Sequence, residues 1–189
     1  MKTLKTILPA ALLLVLPIAA HATPYEVDYK ASEISFSGTH AGNNFQGVFE
    51  EWDATIDFNA EQPELSTLNA NFDLSKAKTG NAMFDGALPK ADWFDVKNHA
   101  EAKFVSTKVS KNTDGSYVAE GNLTLRGITH PASLSFTLTD LAKAEVEAEG
   151  KLTIDRLAYD IGKKSDATAE WVSQEIAVAI KIKATKTIP

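Results

Sequence analysis

The segment AEVEAEGKLTI, residues 144–154, sets Ala144, Val146, Ala148, Gly150, Leu152 and Ile154 against Glu145, Glu147, Glu149, Lys151 and Thr153. Strict alternation of this length predicts a β-strand with one wet face and one dry face. The same period recurs along the chain. Trp52, Ala54, Ile56 and Phe58 face one way, and Asp53, Thr55 and Asp57 the other. Leu68, Ala70, Phe72 and Leu74 alternate with Asn69, Asn71 and Asp73. Ile34 and Phe36 begin the series, and Phe104 lies in a less regular strand, AKFVSTKV. Residues 117–125, 132–138 and 176–182 complete it. Turn chemistry separates these runs, at residues 41–44, Glu61-Gln62-Pro63, residues 112–115 and Thr129-His130-Pro131. Strand follows strand with no long amphipathic helix between, so the expected class is antiparallel all-β, a sandwich or a closed barrel.

Residues 79–104 break the rule. Met83, Phe84, Ala87 and Leu88 are spaced for one face of a short helix, and Gly86 and Pro89 keep it short. Asp92-Trp93-Phe94 then places two large aromatics side by side. This segment reads as one or two helical turns across an open end or edge of the sheet. Trp93 and Phe94 read as a lid over a cavity mouth.

The dry faces are sparse. Ala54, Ala70, Ala119, Gly121, Ala132, Ala144, Ala148 and Gly150 all fall on the inward register. An eight-stranded barrel is just wide enough for its side chains to fill it, or to hold one small ligand. An empty apolar cavity of about 300 Å³ costs on the order of 7 kcal/mol, comparable with the stability of a whole domain. Such a space is better occupied by an apolar guest than left vacant. Alternation alone is equally compatible with Phe36, Trp52, Phe58, Phe72 and Phe136 meshing with the alanines into a filled core.

The N-terminus changes the picture of where the protein works. Lys2 and Lys5 precede an apolar run from Ile7 to Ala19, followed by Ala20-His21-Ala22. That is the pattern of a secretory signal peptide, residues 1–22, cleaved after Ala22. The run is short for a membrane span, and Pro9 and Pro17 interrupt it. The expected product is residues 23–189, one domain directed to the periplasm. Those residues hold 17 basic and 25 acidic side chains, a net charge of −8. No basic stripe appears, which argues against nucleic-acid binding. The chain has no cysteine, so disulfides, thiolate metal sites and lipid-modified cysteines are excluded.

Three stretches resemble the YceI-like family. In residues 36–63, Phe45-x-Gly47-x-Phe49 leads into an acidic strand with Asp53, Ile56 and Phe58, then Pro63. Residues 88–107 carry Leu88, Asp92, Phe94, Asp95 and Phe104, and residues 121–138 carry Leu123, Gly127, Thr129 and Pro131. The resemblance implies an exported, lipocalin-like antiparallel barrel of about eight strands with a short helical insertion. It further implies a central cavity for a polyprenyl lipid or a quinone tail, and no catalytic residues. One departure stands out. The family's arginine and histidine in the helical segment are replaced by Phe84 and Ala87, while Asp85 remains. A diphosphate head favours arginine, so a neutral head such as a quinone suits this mouth better. That departure also resembles the subgroup associated with membrane b-type cytochromes, which implies such a cytochrome as a partner.

Other chemistry is sparse. His40, His99 and His130 sit in or beside turns without metal-ligand spacing. Glu51 and Asp53 share a wet strand face, where solvation explains them. Ser165 and Ser173 lack the glycines of a nucleophile elbow. No catalytic residue, metal or cofactor is therefore expected, and a homodimer stays open. The expected ligand contacts are Phe36, Phe45, Phe49, Phe72, Met83, Phe84, Leu88, Trp93, Phe94, Phe136 and Ala148. The expected function is a periplasmic carrier that sequesters an isoprenoid lipid. The rival is a filled, non-catalytic module that docks on a membrane electron-transfer partner.

Overall fold

In the computed structural model, which describes residues 21–187, the alternating runs are strands. In chain order they are β1 (Thr23–Val27), β2 (Glu33–His40), β3 (Asn43–Phe49), β4 (Trp52–Phe58), β5 (Thr67–Asp73) and β6 (Ala77–Lys78). A six-residue helix, α1 (Ala82–Ala87), precedes β7 (Glu101–Lys111), β8 (Tyr117–Leu125), β9 (Ile128–Thr139), β10 (Glu145–Asp155) and β11 (Glu175–Lys186). Most of the proposed signal peptide lies outside the described residues.

Eight strands close into an antiparallel ring in the order β1, β4, β5, β7, β8, β9, β10, β11 and back to β1. The closing strand is short. Residues 23–25 pair with residues 58–56 of β4, and residues 25–27 with residues 186–184 of β11. Farther along β11, residues 181–177 pair instead with residues 33–37 of β2. The β2–β3 hairpin then runs past the ring, and residues 38–40 pair only with β3 in the ladder. Barrel and projecting ribbon are therefore one sheet, with β6 on the outer edge of β3.

Aromatic packing closes one end of the barrel. Tyr117 stacks on Phe136 at 5.4 Å and meets the edge of Phe58 at 5.2 Å. Along the adjoining wall the inward residues of β7 and β8, including Phe104, Val109, Ala119 and Leu123, are buried. The opposite end carries α1, the turns of residues 88–100 and the long loop between β10 and β11.

Two expectations need correction. Thr129-His130-Pro131 is not a turn but lies within β9. The turn is Arg126-Gly127, a two-residue hairpin loop between Leu125 and Ile128. Its φ values, 52° and 73°, are left-handed at both positions, as a type I′ turn requires. Pro131 is tolerated because β9 pairs with β10 only from residue 135 onward, which leaves one edge free near the proline. Ala144 is not inward; it is exposed and precedes β10.

Gly127 carries two constraints at once. A Cβ there would lie 2.6 Å from the His99 ring, in addition to the left-handed backbone. Gly115 has a similar φ of 87° but open space around it. Gly127→Ala is expected to lose about 2 to 3 kcal/mol, and Gly115→Ala about 1 kcal/mol, in denaturant titrations. Equal losses would show that the His99 contact is irrelevant.

Candidate functional site: a barrel cavity and its vestibule

The inward side chains divide into two populations. On β7 and β8 they are buried, and the small ones are covered by neighbours. The Phe104 ring, for example, fills the space where a Cβ on Gly121 would sit. On β4, β5, β10 and β11 many of the inward residues, among them Trp52, Ala54, Ala70, Ala148 and Ile180, remain half-buried although they point into the barrel. The surface that keeps them accessible is internal. It belongs to a cavity of about 170 Å³, whose wall is apolar apart from Asn69. At about 24 cal/mol per Å³, leaving it empty costs on the order of 4 kcal/mol. Apolar cavities of roughly this size stay dry and take apolar guests.

A second space of about 320 Å³ lies at the end that carries the loops. The β2–β3 ribbon contributes Phe36, His40 and Phe45, and the helical segment contributes Met83, Phe84, Ala87, Leu88 and Trp93. The β10–β11 loop closes it with Ser165, Asp166, Trp171 and Val172. Phe36 and Phe49 mark the border between the two spaces, with ring centroids 5.1 Å apart; Phe36 lines the vestibule and Phe49 the barrel cavity. The glycine of the Phe45-x-Gly47-x-Phe49 run has a packing reason. A Cβ on Gly47 would lie 2.3 Å from the Phe36 ring and 2.7 Å from the carbonyl oxygen of Lys78.

Polar contacts hold the vestibule loops, and the deepest of them is buried. Asn81 caps α1 by accepting from the amides of Met83 and Phe84. Asp85 accepts from the Thr79 amide and hydroxyl, and these bonds hold its carboxyl below the usual range. Asp92 accepts from the amides of Lys164 and Ser165, tying the helical segment to the β10–β11 loop. The centre of that loop is Arg156, only 2% exposed. Its guanidinium donates to the carbonyls of Ile161, Val172 and Ser173 and pairs with Asp166 at 2.6 Å. Trp93 covers the guanidinium at 5.9 Å. Burial pushes the Asp166 carboxyl up, but the amides of Val172, Trp171 and Glu170, with Arg156, outweigh it and hold it low. The other arginine, Arg126, donates to the carbonyls of Ala91 and Asp160. Both arginines beyond residue 22 are thus bonded to loop carbonyls.

The predicted contact residues divide between the two spaces. Phe49, Phe72, Phe136 and Ala148 line the barrel cavity. Phe36, Phe45, Met83, Phe84, Leu88 and Trp93 line the vestibule. Phe94 lines neither; it is 7% exposed in the core, with its amide bonded to the Leu88 carbonyl, so of the two aromatics expected at the mouth only Trp93 lines the vestibule. Trp52 and Ile180 were missing from the expected contacts, although their inward register was readable from alternation. Trp171 and the Arg156–Asp166 pair were missing because their placement depends on a loop, which carries no periodicity, and His40 because the ribbon that holds it departs from the barrel. The three histidines beyond residue 22 are dispersed: His40 on Phe84, His99 against the Arg126-Gly127 turn, and His130 on Tyr159. Glu50, Glu51 and Asp53 are exposed, and Glu51 pairs with Lys76. Among the described residues, no group of three His, Asp or Glu side chains is placed to hold a metal ion.

A closed eight-stranded antiparallel barrel with an apolar interior and an end vestibule defines a lipocalin-like protein. The chain belongs to the YceI-like family, whose domain matches residues 25–184. A UPF0312 protein of Pseudomonas savastanoi pv. phaseolicola is 34% identical over 125 residues, which cover 66% of this chain and 58% of that protein. The barrel resembles the crystal structure of Burkholderia cenocepacia BcnA, with a TM-score of 0.80 and 23% identity over 85% of this chain and all of that one. It also resembles a polyisoprenoid binding domain from Saccharophagus degradans, with a TM-score of 0.67 and 14% identity over 88% of this chain and all of that one.

Asp166→Asn leaves the buried Arg156 without its counter-charge. The expected cost at neutral pH is about 3 kcal/mol. Because the folded-state pKa of Asp166 is depressed, its contribution is complete above the ordinary aspartate value, near 3.9, and fades as pH falls through the lower folded value. Denaturant titrations should therefore show the gap between wild type and variant narrowing only below about pH 4.

Proposed function

We infer that this protein is a periplasmic carrier that sequesters an isoprenoid lipid, with the chain in the barrel and the head in the vestibule. One observation carries the reading. The barrel interior is an apolar cavity whose inward walls on β4, β5 and β10 are not covered by one another. Each methylene buried there contributes about 0.8 kcal/mol, so a multi-isoprene tail is held by area alone, without a charged anchor. The likeness to a polyisoprenoid binding domain supports the same class of ligand. The signal-peptide pattern of residues 1–22 supports the periplasmic address. No group in this reading carries out a chemical step.

The head group follows from the arginines. Arg126 and Arg156 already donate to loop carbonyls, and Arg156 also pairs with Asp166. Neither is available to clamp a diphosphate without breaking the loops. The vestibule wall is dominated by aromatic and aliphatic side chains, which suits a neutral, quinone-type head.

Native mass spectrometry of gently purified protein tests the reading, followed by chromatography of the extracted lipid. The expected result is an isoprenoid adduct with a neutral head; a prenyl diphosphate overturns the head assignment, and the absence of any lipid adduct overturns the carrier. Ala148→Trp provides a second test, because Ala148 lies opposite Leu138 and Ile182 on the half-buried wall. The variant should lose the lipid while its denaturant midpoint stays close to wild type. A destabilisation of about 1 to 3 kcal/mol would instead reveal a filled core.

A further inference from the structure

The largest exposed apolar side chains outside the barrel are unevenly placed. Met83 is 65% exposed and Trp171 56%, and both line the vestibule, one from α1 and one from the β10–β11 loop. Asp92 ties the two loops together, and Arg156–Asp166 braces the β10–β11 loop from within, so both side chains stand on a braced rim. The Trp171 carbonyl also accepts from the Ala41 amide at the tip of the β2–β3 hairpin, which fixes the third side of the opening.

Charge is distributed just as unevenly. Residues 38–47 contain no Asp, Glu, Lys or Arg, residues 77–100 hold three basic and three acidic side chains, and residues 155–174 hold three and four. The segments around the vestibule thus sum to −1, against −8 for residues 23–189. The negative charge belongs to the outer strand faces, such as Glu145, Glu147 and Glu149 on β10. A rim of nearly balanced charge bearing an exposed tryptophan and methionine, on a body that anionic surfaces repel, matches the interfacial region of a zwitterionic bilayer.

We propose that the Met83–Trp171 rim is a docking surface for zwitterionic lipid membranes, through which the vestibule faces the bilayer and the barrel is loaded or emptied. The inference rests on the carrier reading, because a rim that opens onto the cavity has a use at a membrane only if lipid passes through it. Tryptophan favours the headgroup level, where its ring is apolar and its N–H stays wet. The bound state is shallow and reversible, since two side chains bury little area.

Flotation with phosphatidylcholine vesicles, at low and at high salt, tests this. Wild-type protein is expected to float at both salt levels, and its tryptophan emission to shift to the blue and be quenched by brominated phosphatidylcholine, changes that Trp171→Phe should remove. Met83→Glu combined with Trp171→Glu should lower vesicle association by about tenfold or more, with the melting temperature checking the fold. Leu65→Glu alters a 43% exposed leucine in the β4–β5 connection, at the end of the barrel away from the vestibule, and should change nothing. Absence of flotation, flotation that needs anionic lipid and fades with salt, or equal flotation by the double variant overturns the docking surface. Comparing quenching of wild type with that of Trp171→Phe decides the matter even where the double variant fails to fold. Native mass spectrometry of the same preparation separates the two readings. An isoprenoid adduct without flotation overturns docking alone, whereas no adduct overturns the carrier reading on which docking rests.

Discussion

Backbone closure is what allows this barrel to stay open inside. In an antiparallel ring each strand satisfies its amides and carbonyls against two neighbours, so the wall holds its shape without being filled. Here the closure depends on five residues. Thr23–Val27 bridges the gap between β4 and β11 that the departing β2–β3 ribbon leaves behind. Without it β4 and the end of β11 present unpaired edges, and the inward alanines of β4 and β5 lose the frame that keeps them apart. The hollow is thus not a packing failure. Packing is tight where it supports the wall, on β7, β8 and the aromatic floor, and withheld where space is needed.

The end that carries the loops meets a different demand. Long connections cannot draw on a ladder, and buried loop backbone needs partners. Arg156 supplies them, offering its planar donors to the carbonyls of Ile161, Val172 and Ser173 while Asp166 collects the amides of residues 170–172. A buried ion pair is a weak source of net stability against an apolar alternative of the same shape. Its value here is geometric, because one side chain organises three separate stretches of the loop. The same commitment occupies the guanidinium's donors with loop carbonyls and Asp166, so the one fully buried arginine serves loop architecture.

The parts of this arrangement that were readable in the sequence are those governed by local period. β4, β5 and β10 follow from alternation, and α1 from the spacing of Met83, Phe84, Ala87 and Leu88, all four of which line the vestibule. The closing strand was not readable: TPYEV is short, contains Pro24, and owes its position to register with strands some thirty and one hundred and sixty residues away. The Arg126-Gly127 turn was overlooked in favour of the proline three residues on from Leu125-Arg126-Gly127-Ile128, since a free strand edge that tolerates proline is a property of the whole sheet. Phe94 shows the same limit. Its neighbour Trp93 faces the vestibule, but a hydrogen bond from its amide to the Leu88 carbonyl turns Phe94 into the core. Small inward residues were similarly ambiguous. Ala148 lines a void and Gly121 lies under a phenylalanine ring, and nothing in the alternation separates them.

Family patterning adds information where period does not, and Gly47 shows why. Phe36 stands at the border between vestibule and barrel, and its ring occupies the place a Cβ on Gly47 would take. Any larger residue at that position has to push against the ring on one side and the Lys78 carbonyl on the other. The ring would then move toward Phe45 or Phe49, whose centroids lie 6.5 and 5.1 Å away, and narrow the space between vestibule and barrel. The phenylalanine-x-glycine-x-phenylalanine run is therefore a statement about passage as much as about folding. Its glycine keeps the Phe36 ring against the sheet, and its two aromatics, Phe45 and Phe49, line the two spaces on either side of that ring.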